Sequence, residues 1–295
     1  MSWQKFRSYL NTPLLISSTL ILLFIFGSFL VPLFSQWDPE LANPREAFSP
    51  PSWRHPFGTD RSGMDIFVRV FHAPRIDLSL VSLGVLIGGF LGILIGVITG
   101  FARGLMAEIV MRLVDVIQAF PLLILAITLV GLAGNDYSNI VIVLAFVNVP
   151  VFVRLTRSQV LTLRELRFVE ASLALGNSKL RLIMRHILPN SLAPAVVQFG
   201  ISMGYGVLTL AGMAFLGVGI QAPTPEWGSM ILTGTSYITT GEWWISVFPG
   251  LILAIAIFSQ LEMTGRMSGG IVGIGGFIAL FLSYGLCKYI NKKIK

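Results

Sequence analysis

Blocks of about 20 apolar residues recur along this chain, and they decide what it can fold into. As a helix rising 1.5 Å per residue, each block spans about 30 Å, the hydrocarbon thickness of a bilayer. Helices and strands of soluble proteins interleave polar residues at a period of 3.6 or 2, and these blocks do not. Only 12% of the 295 residues are charged, against about 25% in soluble domains, and the mean hydropathy is +0.79. An all-α polytopic membrane protein is expected. The formal charge of +7 could suggest a nucleic-acid binder. The basic residues sit between the apolar blocks, however, which is the placement set by membrane topology, so no nucleic-acid partner is expected. The single cysteine, Cys287, excludes an internal disulfide and cannot build a metal site by itself.

Six blocks read as membrane helices: 13–34, 78–101, 113–133, 138–153, 195–220 and 243–258. The first follows Lys5 and Arg7. It is too long for a signal-peptide core and has no small-x-small cleavage pattern after it, so a retained helix with a cytoplasmic N-terminus is expected. Residues 35–76 form a proline-rich, nearly neutral loop of the kind that is exported. In the second block Gly84, Gly88, Gly92, Gly96 and Gly100 recur every four residues. They predict a small-residue ridge for close helix packing, the alternative being glycine merely tolerated in lipid. The third block contains Pro121, which kinks a membrane helix or marks its first turn. Asp115 near its start is read as an interfacial structural residue, with a proton-relay carboxylate as the alternative. Trp243 and Trp244 suit a membrane–water interface, and 223–241 reads as a short external loop. With six spans, residues 154–190 fall in the cytoplasm. They hold seven Lys or Arg against Glu165 and Glu170, the strongest positive-inside signal in the chain.

That segment is long for a connector. Leu161, Leu166, Val169, Leu173 and Leu175 lie on a helical period, and Thr162 with Glu165 fits a capping box. Gly176 supplies a stop. A second amphipathic stretch, 179–188, carries Arg181 and Arg185 one turn apart and is ended by Pro189. Two short helices joined at a glycine corner against the membrane surface are predicted, with an interfacial pair binding anionic lipid as the plain alternative. The residues themselves say more. Glu170-Ala171-Ser172, then Gly176, then Ile187-Leu188-Pro189 resembles the "EAA" loop of ATP-binding cassette (ABC) importer permeases, with Ser172 in place of the second alanine. A second stretch, His55-Pro56-Phe57-Gly58-Thr59-Asp60 with Gly63 and Asp65, is similar to the external loop of the dipeptide/oligopeptide/nickel permeases, in their shorter, C-type form. Arg112, Asp115, Ala119-Phe120-Pro121 and Pro223-Thr224-Pro225-Glu226-Trp227-Gly228 fit the same pattern. The resemblance covers residues 10 to 258.

The resemblance implies a type I importer fold in a bacterial plasma membrane, with the 154–190 helices docked in a groove on an ATPase. Glu170, Ala171, Ser172, Gly176, Arg181, Arg185 and Pro189 are the expected docking residues. A second homologous permease, two ATP-binding subunits and an external substrate-binding protein are the implied partners besides the bilayer. The chain has no Gly-x-x-x-x-Gly-Lys-Ser/Thr phosphate loop. No catalytic residue, cofactor or metal is therefore expected, and alternating access is driven by the partner's ATP hydrolysis. The rival is an ion-gradient carrier, which calls for internal repeats or ionisable midplane residues. A scaffold without transport would not need such a loop. His55 and His72, seventeen residues apart, are a poor nickel signature. The expected division is a first helix and external loop at 1–77, a permease core at 78–258, and a tail at 259–295. The tail departs from the family pattern with an apolar stretch, 271–286, followed by Lys288, Lys292, Lys293 and Lys295. A re-entrant or surface-lying segment and a tail of separate origin are both open readings.

Overall fold

A computed structural model of the chain describes residues 12–102 and 104–267. Lys5, Arg7 and the whole 271–295 stretch lie outside the described residues. The described chain is built of helices: α1 (Thr12–Phe34), α2 (Ile66–Phe101), α3 (Leu105–Gln118), α4 (Leu122–Ala133), α5 (Tyr137–Arg164), α6 (Arg167–Ala174), α7 (Lys179–Leu182), α8 (Leu188–Phe215), α9 (Trp227–Thr235) and α10 (Trp244–Met267). Four of them, α2, α5, the continuous run from α7 through α8, and α10, are long and apolar enough to cross a bilayer. The pair α3 and α4, bent by 91°, makes a fifth if the two count as one broken span. The described apolar part of α1, Ser17–Val31, is shorter, so among the described residues four or five spans are found where six were expected.

Several boundaries differ from the sequence expectation, each for a local reason. Helix α2 begins at Ile66, twelve residues before the apolar block, because Asp65 caps it: its Oδ1 accepts from the Val68 amide at 2.8 Å. The polar residues of those extra turns find partners within the fold. Arg69 donates to the carbonyls of Pro39 and Pro223, and Arg75 to that of Ser28. His72, read as a loop residue, therefore lies on a helix. Pro121 separates two helices rather than bending one, since it cannot donate to the α3 ladder and instead stands as the first residue outside α4. Thr162 does not cap a helix. It lies inside α5, where its hydroxyl donates to the Ser158 carbonyl one turn back, and α6 starts only at Arg167. Pro189 opens α8 instead of closing the preceding stretch: a wider turn at Ile183–Ile187 leads into it, and a first-turn position needs no amide hydrogen. The 223–241 loop contains α9.

The interior is set by how closely α2 and α5 approach. A Cβ added at Gly84 would lie 2.6 Å from Leu144 Cβ, at Gly92 2.5 Å from Phe152 Cβ, at Gly96 2.7 Å from Thr156 Cβ and at Gly100 2.8 Å from Val160 Cβ. At Gly88 it would strike the Ala145 carbonyl. The contacts advance by about four residues on both helices and in the same sense, so α2 and α5 run parallel, in contact over five turns. Helix α8 packs antiparallel to α2, with Gly89 under Phe199 and Gly206 under Val81. Helix α10 packs antiparallel to α8, with Thr264 on Gly200 and Leu261 on Gly204. The main apolar core, including Val81, Leu144, Phe152, Met203, Leu210 and Trp227, lies between these helices.

Gly92→Val is expected to cost about 1–3 kcal/mol through overpacking and to lower the melting temperature of the detergent-solubilised protein. Gly131→Ala in α4, where a Cβ meets nothing within 4 Å, is the control and is expected to leave it unchanged or slightly raised. Equal effects of the two substitutions would show that close approach is not what holds α2 to α5.

Candidate coupling segment and the opposite face

Following the helix directions, residues 165–187 share one face of the molecule with the end of α2. The 35–65 loop, the 134–136 turn and the 216–243 segment share the other. On the first face, α6 and α7 are anchored by few side chains. Val169, Leu182 and Ile187 are buried against Val97 and Val160 from the ends of α2 and α5. Arg164 ties α5 to α2 by donating to the Gly100 carbonyl at 2.9 Å.

The corner between α6 and α7 is fixed by backbone chemistry. Gly176 has φ +81°, a left-handed conformation in which a Cβ is disfavoured. Its amide donates to the Leu173 carbonyl at 3.0 Å, and the Asn177 amide donates to that of Ser172 at 3.2 Å. This pair of bonds is a Schellman closure, which satisfies carbonyls that a helix end would leave free. Asn177 also donates from its side chain to Ser172 Oγ, and Ser178 Oγ accepts from the Arg181 amide to start α7.

Of the residues predicted for docking, Glu170, Ala171, Gly176, Arg181, Arg185 and Pro189 are exposed on this face, and Ser172 is half-buried within the corner. The apolar positions behave differently from their helical period. On α6 only Val169 is buried, and after the corner only Leu182 and Ile187 are. Leu166, Phe168, Leu173, Leu180 and Met184 are exposed, and Leu175 is 84% exposed beside the glycine. Sequence periodicity finds the helix but cannot tell a face that meets the membrane helices from one that meets nothing within the chain. Near this end, Asp115 of α3 pairs with Arg154 of α5, not with Arg112.

On the opposite face the 55–65 and 223–228 motifs meet. His55 is buried, with Nδ1 2.7 Å from Asp65 Oδ2 and Nε2 3.4 Å from Glu46 Oε2. Trp37 packs on its ring at 4.9 Å. Both ring nitrogens thus face carboxylates, and His72 is on another element. Among the described residues no group of three or more His, Cys, Asp or Glu is arranged to hold a metal. Asp60 accepts from the Ser62 and Met64 amides, and Trp244 Nε1 donates to the Thr59 carbonyl at 3.2 Å, fastening the loop to α10. Glu226 caps α9 through the Gly228 and Ser229 amides at 2.8 and 2.6 Å, and burial pushes its carboxyl up to about 7 despite those donors. Trp227 is buried, with Nε1 donating to the Val70 carbonyl. That Glu226 is buried was not readable from the sequence, although a charged residue next to a tryptophan in a proline-rich loop is a signal of the right kind.

Comparison with known proteins places this architecture. The family model described as "Binding-protein-dependent transport system inner membrane component" matches residues 92–285. The dipeptide transport system permease protein DppC of Alkalihalophilus pseudofirmus is 38% identical over 83% of this chain and 79% of its own. The di/tripeptide permease DppC of Pseudomonas aeruginosa is 35% identical over 87% and 86%, and the glutathione permease GsiD of Escherichia coli O6:K15:H31 is 34% identical over 87% and 84%. A solved structure described as an amino acid ABC transporter with histidines superposes with a TM-score of 0.52 at 15% identity, covering 68% of this chain and 92% of that one. That likeness is one of fold, the type I importer transmembrane fold. The chain belongs to the inner membrane components of binding-protein-dependent transport systems, the permease subunits of ABC importers.

Proposed function

We propose that this permease moves peptides or closely related small solutes across the bacterial plasma membrane by alternating access, driven by ATPase subunits that dock on α6 and α7. The observation that carries the reading is the face of that segment. A backbone-locked corner with Leu175 at its tip, flanked by Leu173 and Leu180, leaves apolar surface uncovered by the chain's own helices. Glu170, Arg181 and Arg185 rim it, the arrangement of an apolar centre with a polar border that protein interfaces favour. The basic residues of 154–190 support placing this face, and the N-terminus, in the cytoplasm. A second homologous permease, two ATP-binding subunits and an external binding protein complete the assembly implied by the resemblance. Peptide cargo is favoured by the names of the relatives. Nickel complexes belong to the same resemblance, but His55 is committed to Asp65 and faces Glu46, so it is not a ligand in this reading.

Purification of the chain from its native membrane in mild detergent is expected to recover an ATP-binding subunit. Glu170→Arg reverses a charge on the docking rim and is expected to reduce that recovery about tenfold, the equivalent of about 1.4 kcal/mol. Recovery of the chain alone in both cases, with transport surviving ATP depletion, would sink the reading and favour a gradient-driven carrier. Gly176→Val strains the left-handed corner by about 1–2 kcal/mol. It is expected to lower ATPase stimulation by substrate while leaving the protein's insertion in the membrane intact. Unchanged stimulation would mean that the corner geometry does not transmit the power stroke.

A further inference from the structure

The face opposite the coupling segment holds two buried acids for which the transport reading has no use. Asp77 on α2 and Glu226 at the start of α9 are both almost entirely shielded from solvent. They grip the same turn from two sides. Glu226 Oε1 and Oε2 accept from the Gly228 and Ser229 amides, and Asp77 Oδ2 accepts from the Trp227 amide at 3.3 Å. Three consecutive amides of α9 are thus held by two carboxylates from different elements. The two acids are within electrostatic reach of each other, and Asp77 Oδ1 is buried without a partner.

No basic side chain forms an ion pair with either acid among the described residues. The charged groups on neighbouring elements are engaged elsewhere. On α2, Arg69 donates to the Pro39 and Pro223 carbonyls and lies 4.0 Å from Asp60 of the loop. Arg75 donates to Ser28 and lies over Phe29. His72 is also on α2, Arg61 is on the loop, Asp136 precedes α5 and Glu242 precedes α10, while α1, α8 and α9 contribute no charged side chain. Two carboxyls buried on one turn without a basic partner are costly to ionise together, and Glu226, raised to about 7, is the one placed to hold a proton.

We propose that Asp77 and Glu226 together hold a proton that clamps α9 onto α2, and that its loss at alkaline pH lifts α9, giving this face a proton-operated latch. A small cleft of about 40 Å³ gives access: Ser229, which donates to Glu226, lines it together with Asp60, Arg61, Arg69 and Thr233. The direction follows from the acid's position. A carboxyl raised from 4.5 to about 7 when α9 is docked stabilises the docked state fully below 4.5, and that advantage is lost as pH rises through about 7. The proposal needs neither the ATPase docking nor the assignment of the outer face, so it can fail while they stand.

The test uses the full chain with its co-purifying partners in lipid nanodiscs, where both faces are accessible, and with Cys287→Ser as background. Met230→Cys places a thiol on the buried side of α9, against Ile66, Val70 and Ile245. Thr239→Cys, which is exposed, supplies the reference that cancels the titration of the thiol itself. The ratio of the two rates of reaction with a small maleimide is expected to rise about tenfold between about pH 5.5 and about pH 8, and to stay flat when Asp77→Asn is added. If that variant is not recovered, Glu226→Gln takes its place under the same criterion. A ratio that is flat in the unaltered pair, or that rises as steeply without the second acid, overturns the latch.

Discussion

The close approach of α2 and α5 is the constraint on which the rest of this structure depends. In lipid there is no gain from hiding apolar surface, so helices associate by dispersion contact and need small residues to come near enough. Five glycines one turn apart let α5 lie in a trough on α2 along five turns. The other elements take their positions from that pair. Helix α8 leans on both through Phe199 and Val81, α10 leans on α8, and the ends of α2 and α5 supply the apolar seat for Val169, Leu182 and Ile187. The position of α6 and α7 is thereby set by the ends of α2 and α5 through a few packed side chains.

Much of the architecture was legible in the sequence, because a membrane span advertises itself by length and composition alone. The first helix was bounded almost to the residue. The parts that were not legible share a cause: they depend on partners far away along the chain. The first turns of α2 carry Arg69, Arg75 and Asp77, which look like loop residues until Pro223, Ser28 and Trp227 are seen to satisfy them. Helix α9 hides among turn-forming residues, and only the buried Glu226 cap and Trp227 explain its position. In the 154–190 segment the period of the leucines revealed a helix. Whether Leu173 and Leu175 faced inward could not be read, since that is decided by α2 and α5.

The two faces of the molecule solve the loop problem in opposite ways. The 35–65 loop and α9 are tied down by buried polar contacts, with His55 between two carboxylates, Asp60 gathering amides, and Trp244 and Trp227 donating to backbone carbonyls. Such contacts are specific and exact a cost if broken. The face that carries α6 and α7 uses three apolar anchors and one backbone corner, and leaves its outer surface uncommitted. One face is closed by the chain's own polar contacts, and the other keeps exposed apolar side chains such as Leu175.

The parallel course of α2 and α5 has an electrostatic consequence. Each helix carries partial negative charge at its C-terminal end, and parallel neighbours place those two ends side by side, where they repel. An arginine lies at that point: Arg164, in the last turn of α5, donates to a terminal carbonyl of α2. Arg164 therefore offsets part of the negative charge at the joined helix ends. A neutral residue at Arg164 would expose two like dipole ends to each other and remove the bond that ties them, so the cohesion of the central helix pair at this end rests on a single side chain.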